Sequence, residues 1–162
     1  MKIRELKAEY FAKTARCYAL VFAGPPWNEA CLTEDTMKLL SNPHMKWWVA
    51  VDNDEVVGFC AGWTGNSIQL AEKLGAPVLP LCNIGYQAEL GVMTQYRNQG
   101  VARKMAQTRL NWFKKSNVRQ LVIRSKPGAV TYDWNLRLGF SPAYVYPDGR
   151  VILTRSLEGL SL

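Results

Sequence analysis

The residues best placed for chemistry lie in one segment, from Glu89 to Lys104. A run typical of a β-strand leads there into a loop that contains Gly100 and opens directly into an amphipathic helix. The first N–H groups of a helix have no carbonyl partner inside the helix, and the helix dipole makes that end positive. The segment therefore predicts an anion site, and Gly100 and Ala102 are small enough to let a phosphate reach the backbone.

Two common nucleotide-binding loops are excluded by the same residues. A nucleoside triphosphate loop ends in Gly-Lys-Ser/Thr, whereas this loop ends in Gly100-Val101-Ala102. The dinucleotide fingerprint Gly-x-Gly-x-x-Gly is also missing from the sequence. The predicted anion site is therefore of another type.

The loop Arg97-Asn98-Gln99-Gly100-Val101-Ala102 resembles the Arg/Gln-x-x-Gly-x-Gly/Ala pyrophosphate loop of the GCN5-related N-acetyltransferase (GNAT) family. In that family the loop follows a strand often written Glu-Leu-x-Val, which is similar to Glu89-Leu90-Gly91-Val92. The family's later strand, helix and Leu-Gly-Phe sequence match Leu121 to Arg124, Ala129 to Leu138, and Leu138-Gly139-Phe140. The loop, the strand before it and Leu-Gly-Phe, in that order, make the resemblance fairly specific.

The resemblance implies an enzyme that transfers an acetyl group from acetyl-coenzyme A, its co-substrate, to an amine of a small molecule or peptide. Backbone N–H groups of residues 98 to 102 would hold the pyrophosphate, and the pantetheine arm would lie along residues 90 to 93 like an added strand. The N–H of Val92 or Met93 would polarise the thioester carbonyl, and Gly91 suits a bulge. The expected cofactor-binding residues are Leu90, Val92, Met93, Arg97, Asn98, Gln99, Gly100, Val101, Ala102, Arg103 and Asn135.

Two residues are candidates for the proton transfers. An amine acceptor must lose a proton before it attacks, and Glu89 stands where some family members carry a catalytic carboxylate, so it is the candidate base, acting through water. The alternative is a structural carboxylate that pairs across the sheet. The family often has a tyrosine acid four residues before the glycine of Leu-Gly-Phe, but Asn135 stands there. Tyr132, three residues earlier, is the substitute candidate, and a packing aromatic is its alternative role.

Acceptor contacts in this family come from the early helices and from the region before the fourth strand. The resemblance therefore implies an acceptor pocket formed by Phe22, Pro26, Trp27, Asn28 and Glu29, together with the insertion from residue 64 to 85.

The remaining elements follow from apolar periodicity and turn residues. One expected helix ends at Phe22. The other expected helices run from Thr33 to Leu40, Ser67 to Leu74, Gly100 to Lys115 and Ala129 to Leu138. The expected strands are 1 to 6, Trp47 to Val51, Glu55 to Trp63, Tyr86 to Met93, Arg119 to Arg124, Phe140 to Tyr146 and Arg150 to Leu157. The mixture predicts an α/β or α+β protein. Together with the resemblance, this implies an acyl-CoA N-acyltransferase-like fold with one mixed, mostly antiparallel sheet of about seven strands flanked by helices.

Length and composition agree with one globular domain over residues 1 to 162. The chain is 48% hydrophobic and 20% charged, and no stretch has the apolar length of a membrane span or a signal peptide, so a cytoplasmic location is expected. The four cysteines are scattered and there is one histidine, which argues against a zinc site or a disulfide framework; no metal is expected.

The net charge of +7 leaves a second class of function open, a basic nucleic-acid-binding module. That function needs surface aromatic residues among Lys and Arg, whereas the aromatic residues here concentrate in apolar strands and helix faces, so no nucleic acid partner is expected. A third alternative is a coenzyme A-binding protein that has lost catalysis, for which Asn135 is the sequence argument. The oligomeric state stays open, and a homodimer is compatible with the sequence.

Overall fold

The computed structural model describes residues 1–25 and 27–160, and within them five helices and seven strands position the site. The helices are α1 (Phe11–Phe22), α2 (Thr33–Leu40), α3 (Ser67–Leu74), α4 (Val101–Lys115) and α5 (Val130–Arg137). The strands are β1 (Lys2–Glu5), β2 (Lys46–Asp52), β3 (Glu55–Gly65), β4 (Ile84–Val92), β5 (Gln120–Ser125), β6 (Ser141–Val145) and β7 (Val151–Ser156).

The strands form one sheet in the order β1-β2-β3-β4-β5-β7-β6. The β4–β5 pair is parallel, whereas β1–β2, β2–β3, β5–β7 and β6–β7 are antiparallel. This confirms the predicted mixed, mostly antiparallel sheet with flanking helices.

The chain divides into two compact units. The first contains Met1–Gly62 and Glu89–Leu110, and the second contains Trp63–Ala88 and Asn111–Leu162. Strands β3 and β4 and helix α4 each contribute residues to both units. The single domain expected over residues 1 to 162 stays a prediction.

The core of the first unit contains one buried charge. Five consecutive residues in the middle of β2 are buried, and Phe59 on β3 has no exposed surface. Arg109 on α4 is only 2% exposed, and its Nη1 donates hydrogen bonds to the carbonyls of Ala61, at 2.8 Å, and Glu89, at 2.9 Å. A buried cation is tolerated only when such partners replace water, so these bonds fix Ala61 of β3 relative to Glu89 of β4.

Gly91 has a packing role that the sequence did not reveal. A Cβ at this position would lie 2.4 Å from Cζ of Phe59, whose ring is fully buried. The residue was expected to suit a bulge, and the close approach of a ring gives an independent reason for glycine there.

The second unit contains the insertion before β4. Asn66 caps α3 by accepting from the N–H groups of Ile68 and Gln69, and Gly75, with a φ of 61°, ends the helix. The predicted helix from Ser67 to Leu74 is therefore confirmed. The hydroxyl of Tyr146 donates to the carbonyl of Leu74, at 2.9 Å, which joins the insertion to the end of the β6 strand.

The end of α5 agrees with the expected left-handed cap. Gly139 has a φ of 82°, its N–H donates to the carbonyl of Leu136, and the N–H of Phe140 donates to that of Asn135. This pair of bonds is the Schellman motif that glycine favours after a helix.

Two further observations concern function classes. None of the helices in the described residues has the length and apolar character needed to cross a membrane. Over the same residues, no three His, Cys, Asp or Glu side chains are grouped so that they could hold a metal ion.

The close packing of Gly91 gives the first test. We expect Gly91→Ala to lower the free energy of unfolding by about 1–3 kcal/mol, because the fully buried ring of Phe59 has no room to yield. Gly24→Ala is the matched control, since its Cβ would meet nothing within 4 Å. Urea unfolding measures both variants, and equal stability of the two would contradict the packing role of Gly91.

Candidate active site

The loop between β4 and α4 presents its backbone rather than its side chains. Asn98 and Gly100 have φ angles of 60° and 76°, and nothing lies within 4 Å of a Cβ built on Gly100. Residues 97 to 100 are exposed, whereas Val101 is only 1% exposed and anchors the start of the helix. The main chain at Gly100 is therefore open to an approaching group.

Helix α4 begins beside this open backbone. The N–H of Lys104 donates to the carbonyl of Gly100 at 3.0 Å, so the N–H groups of the three residues between them belong to the first turn, which has no carbonyl partner within the helix. Arg103 and Lys104 are exposed in the same turn. The helix end, the glycine and the basic side chains together suit an anion, and this local geometry fits the pyrophosphate of coenzyme A.

Two side chains of the loop form hydrogen bonds with backbone carbonyls that precede the loop. Nε of Arg97 donates to the carbonyl of Val92 at 3.1 Å, and Nε2 of Gln99 donates to the carbonyl of Gln95 at 2.9 Å. The guanidinium of Arg97 carries further donors on its two terminal nitrogens. Arg97 and Gln99 therefore hold the shape of the loop through these bonds.

The hydrogen bonds at the end of β4 indicate which backbone N–H, that of Val92 or that of Met93, could face a thioester. The N–H of Met93, the residue after β4, donates to the carbonyl of Val57 on β3 at 2.9 Å. Successive N–H groups of a strand point to opposite edges, so the N–H and carbonyl of Val92 lie on the edge away from Val57. Of the two expected amides, the one of Val92 therefore fits the role, whereas that of Met93 already has a partner in the sheet.

Glu89 lies beside a tyrosine of α1. Tyr18 is half-buried on α1, and the charge of Glu89 acts on its phenol. Burial is the main cause that raises the pKa of Tyr18, and the carboxylates of Glu89 and Glu29 raise it further. Tyr18 is therefore neutral at physiological pH, and Glu89, Glu29 and Cys31 are all near enough to influence it.

The predicted acceptor residues lie around the same tyrosine. The rings of Tyr18 and Phe22 are 4.5 Å apart between centroids, and the ring of Trp27, 38% exposed, meets Phe22 edge-on at 5.9 Å. The N–H of Glu29 donates to the carbonyl of Phe22 at 2.8 Å, which folds the chain back after α1. Asn28 occupies this turn with a φ of 50°. Pro26 lies outside the described residues.

The other predicted site residues belong to the second unit. Tyr132 is half-buried on α5. Asn135 is 3% exposed, and its Nδ2 donates to the carbonyl of Thr131 at 2.6 Å. The amide nitrogen of Asn135 is thus bonded within its own helix.

Sequence reasoning missed Tyr18, Cys31 and Arg109. A signal existed for two of them. Tyr18 stands four residues before Phe22 on the apolar face of its helix, where a phenol needs a polar partner. Arg109 interrupts the apolar face of α4, next to Leu110, which is the position of a buried and therefore partnered cation.

Comparison with known proteins assigns the chain to a family. The model of the acetyltransferase (GNAT) family matches residues 3–137. The chain belongs to the acetyltransferase (GNAT) family. It is accordingly an acyltransferase that uses acetyl-coenzyme A as its co-substrate.

Solved structures share the GNAT fold at low sequence identity. The PaiA N-acetyltransferase of Thermoplasma acidophilum, in complex with coenzyme A, is 13% identical with a TM-score of 0.71, over 96% of this chain and 98% of that one. The ribosomal-protein-S18-alanine N-acetyltransferase of Escherichia coli is 15% identical with a TM-score of 0.69, over 99% of both chains. Aminoglycoside 6'-acetyltransferase type Ii is 15% identical with a TM-score of 0.70, over 99% of this chain and 100% of that one. A search of curated proteins finds no match.

The open backbone at Gly100 gives the second test. We expect Gly100→Val to abolish acetyl-coenzyme A binding in calorimetric titration, because the side chain would hold the pyrophosphate away from the N–H groups. The strain of a positive φ should also cost about 1–2 kcal/mol of stability.

Gly159→Val separates these two effects. Gly159 has a φ of 70° and equally open surroundings, so the substitution carries similar backbone strain outside the loop. We expect Gly159→Val to melt earlier but to bind acetyl-coenzyme A normally. Normal binding by Gly100→Val would show that the loop is only the start of a helix.

Proposed function

We propose that the protein transfers the acetyl group of acetyl-coenzyme A to a primary amine of a small molecule or peptide, with Glu89 as the general base. The observation that carries this proposal is the arrangement within the first unit. Residues 89 to 92 lead directly from Glu89 to the anion-binding loop, while Tyr18, whose ring packs on Phe22, is close enough to both Glu89 and Glu29 for their charges to act on it.

Backbone groups of this unit would hold the co-substrate. The N–H groups of residues 98 to 102 would bind the pyrophosphate, with Arg103 and Lys104 adding positive charge. Residues 90 to 92 would bind the pantetheine arm as a strand does. Acetyl-coenzyme A supplies the activated acetyl group and a thiol leaving group. The N–H of Val92, fixed in direction by the strand, would stabilise the negative charge that develops on the carbonyl oxygen.

Charge and shape near Glu89 suit an amine acceptor. A primary amine with an ordinary pKa of about 10 is a cation at neutral pH, and the carboxylates of Glu89 and Glu29 would attract it. The exposed ring of Trp27 offers an apolar and cation-binding wall beside Phe22. Glu89 would then accept the proton, directly or through one water, and leave the nitrogen lone pair ready to attack.

The proton for the departing thiolate needs a separate donor. Tyr132 is the proposed acid, because Asn135, at the position where the family often has tyrosine, carries no acidic proton. Solvent is the alternative donor.

The names of two similar structures support an amine acceptor. Two proteins with the same fold are named for an alanine of a ribosomal protein and for an aminoglycoside, so both peptide and small-molecule amines are reasonable acceptors.

The four cysteines are free thiols, as is usual in a reducing compartment, which supports a cytoplasmic location. All three tryptophans on the described strands, Trp47, Trp48 and Trp63, are buried, which supports action without a nucleic acid partner.

The base assignment gives the third test. We expect Glu89→Gln to lower turnover by roughly 10²- to 10⁴-fold with nearly normal acetyl-coenzyme A affinity, because glutamine keeps the shape but cannot accept the proton. The loss should shrink as pH rises, since more of the amine is then already neutral. The measurement is thiol release over a panel of small primary amines and peptides with free N-termini.

Glu55→Gln, an exposed carboxylate at the start of β3, is the control and should retain wild-type turnover. Wild-type turnover by Glu89→Gln at every pH would show that the carboxylate is structural. Tight acetyl-coenzyme A binding without thiol release on any amine would instead favour a protein that binds the co-substrate but has lost catalysis.

A further inference from the structure

We propose that Arg124 and Arg150, held on the ring of Tyr146, form a binding site for the carboxylate group of a small molecule or peptide. All three residues belong to the second unit, whereas Glu89 and the loop of residues 97 to 102 belong to the first. The inference does not depend on the proposed acetyl transfer. It is carried by the contacts of the two guanidinium groups and by the balance of charge around them.

One face of the sheet carries the two arginines and the tyrosine. In the strand register, Arg124 of β5 lies opposite Ile152 of β7, and Ile152 lies opposite Tyr144 of β6. Side chains that are directly opposite, or two residues apart on one strand, point to the same face. Arg150 precedes Ile152 by two residues, and Tyr146 follows Tyr144 by two. The N–H of Tyr146 donates to the carbonyl of Arg150 at 2.8 Å, so the strand pairing continues to these two residues.

The ring of Tyr146 has a fixed position. Tyr146 is only 8% exposed, its hydroxyl donates to the carbonyl of Leu74, and its ring meets that of Tyr144 edge-on with centroids 4.9 Å apart. The guanidinium carbon of Arg150 lies 5.2 Å from the centroid of the Tyr146 ring, and that of Arg124 lies 6.0 Å from it. Both distances suit cation–π contacts. One buried ring therefore holds two guanidinium groups near each other.

The carboxylate closest to these cations is already bound. Oδ2 of Asp148 accepts from Nε of Arg150 at 2.7 Å, and Oδ1 accepts from the backbone N–H of Arg150 at 3.0 Å. These bonds lower the pKa of Asp148, and the charge of Arg124 contributes to the shift. Within residues 1–25 and 27–160, no hydrogen bond or ion pair engages the guanidinium of Arg124. Two cations and one carboxylate thus leave one positive charge in excess.

The excess charge and the shape of the donors favour a carboxylate as the ligand. One positive charge is balanced by one negative charge, whereas a phosphate monoester carries nearly two at neutral pH. A guanidinium is planar, and its paired N–H donors match the two oxygens of a carboxylate. The side chain of Arg150 is 42% exposed and Arg124 is half-buried, so neither residue is closed off from solvent.

The test is a titration of the protein with sodium acetate, followed by NMR of the arginine Nε–H signals. The protein is saturated with coenzyme A, so that the loop of residues 97 to 102 does not compete for the anion. We expect the signals of Arg124 and Arg150 to shift along one saturable curve. Inorganic phosphate at equal ionic strength should bind more weakly than acetate.

Two variants assign the binding to the arginine pair. Arg124→Gln should weaken acetate binding about 10-fold or more, because it removes a charge and its hydrogen bonds. Arg119→Gln, which changes an exposed arginine just before β5, is the matched control and should bind acetate normally.

Three results would overturn parts of this proposal. The lack of a saturable shift at Arg124 and Arg150 in the wild-type protein would overturn the site itself, and that measurement needs no variant to fold. Tighter binding of phosphate than of acetate would overturn the choice of a carboxylate. Normal acetate binding by Arg124→Gln would overturn the role of Arg124.

Discussion

The buried guanidinium of Arg109 is the interaction on which the geometry of the first unit depends. A cation in an apolar core must replace its lost hydration, and here the carbonyls of Ala61 and Glu89 supply part of the replacement at 2.8 and 2.9 Å. Both carbonyls are backbone groups, so the requirement acts on the strands rather than on a mobile side chain. The position of Glu89 is consequently set by the core beneath it.

The geometry of the strand then determines where the residues that follow Glu89 lie. The chain passes Gly91, where the ring of Phe59 excludes any side chain, and reaches Val92, whose N–H and carbonyl face away from Val57. The carbonyl of Val92 binds Arg97, which shapes the loop before α4. The proposed base, the N–H group proposed to face the thioester and the proposed anion site are thus carried by fourteen consecutive residues, 89 to 102. Burial also affects the thiol of Cys60 near Arg109. It raises the pKa of Cys60 to about 11, although the positive charge of Arg109 opposes the shift.

The sequence predicted the parts of the structure that local chemistry determines. The loop that ends in Gly100-Val101-Ala102, the helix from Ser67 to Leu74 and the cap at Gly139 were all predictable, because glycine conformations, caps and helical periodicity act over a few residues. The family resemblance, carried by the same local motifs, was sufficient to suggest the co-substrate. Helix and strand ends shifted by a residue or two, as at α4, which begins at Val101 rather than Gly100.

The acceptor side of the site depends on contacts between distant parts of the chain. Tyr18 stacks on Phe59 only after α1 has packed on β3, and the bond between Met93 and Val57 depends on the register of β3 with β4, which one sequence does not determine. Gly91 was visible as a glycine, but its neighbour Phe59 lies 32 residues earlier in the sequence. These contacts depend on the tertiary structure. The family could be assigned without them, whereas catalysis cannot be explained without them.

The central claim is that the co-substrate lies on the loop with its reacting end beside Glu89. A crystal structure of the coenzyme A complex tests this claim most directly. We expect pyrophosphate oxygens about 3 Å from the backbone nitrogens of residues 98 to 102 and the sulfur next to Val92, on the edge of β4 away from Val57. A pyrophosphate bound by other residues, or a sulfur far from both Val92 and Glu89, would contradict it.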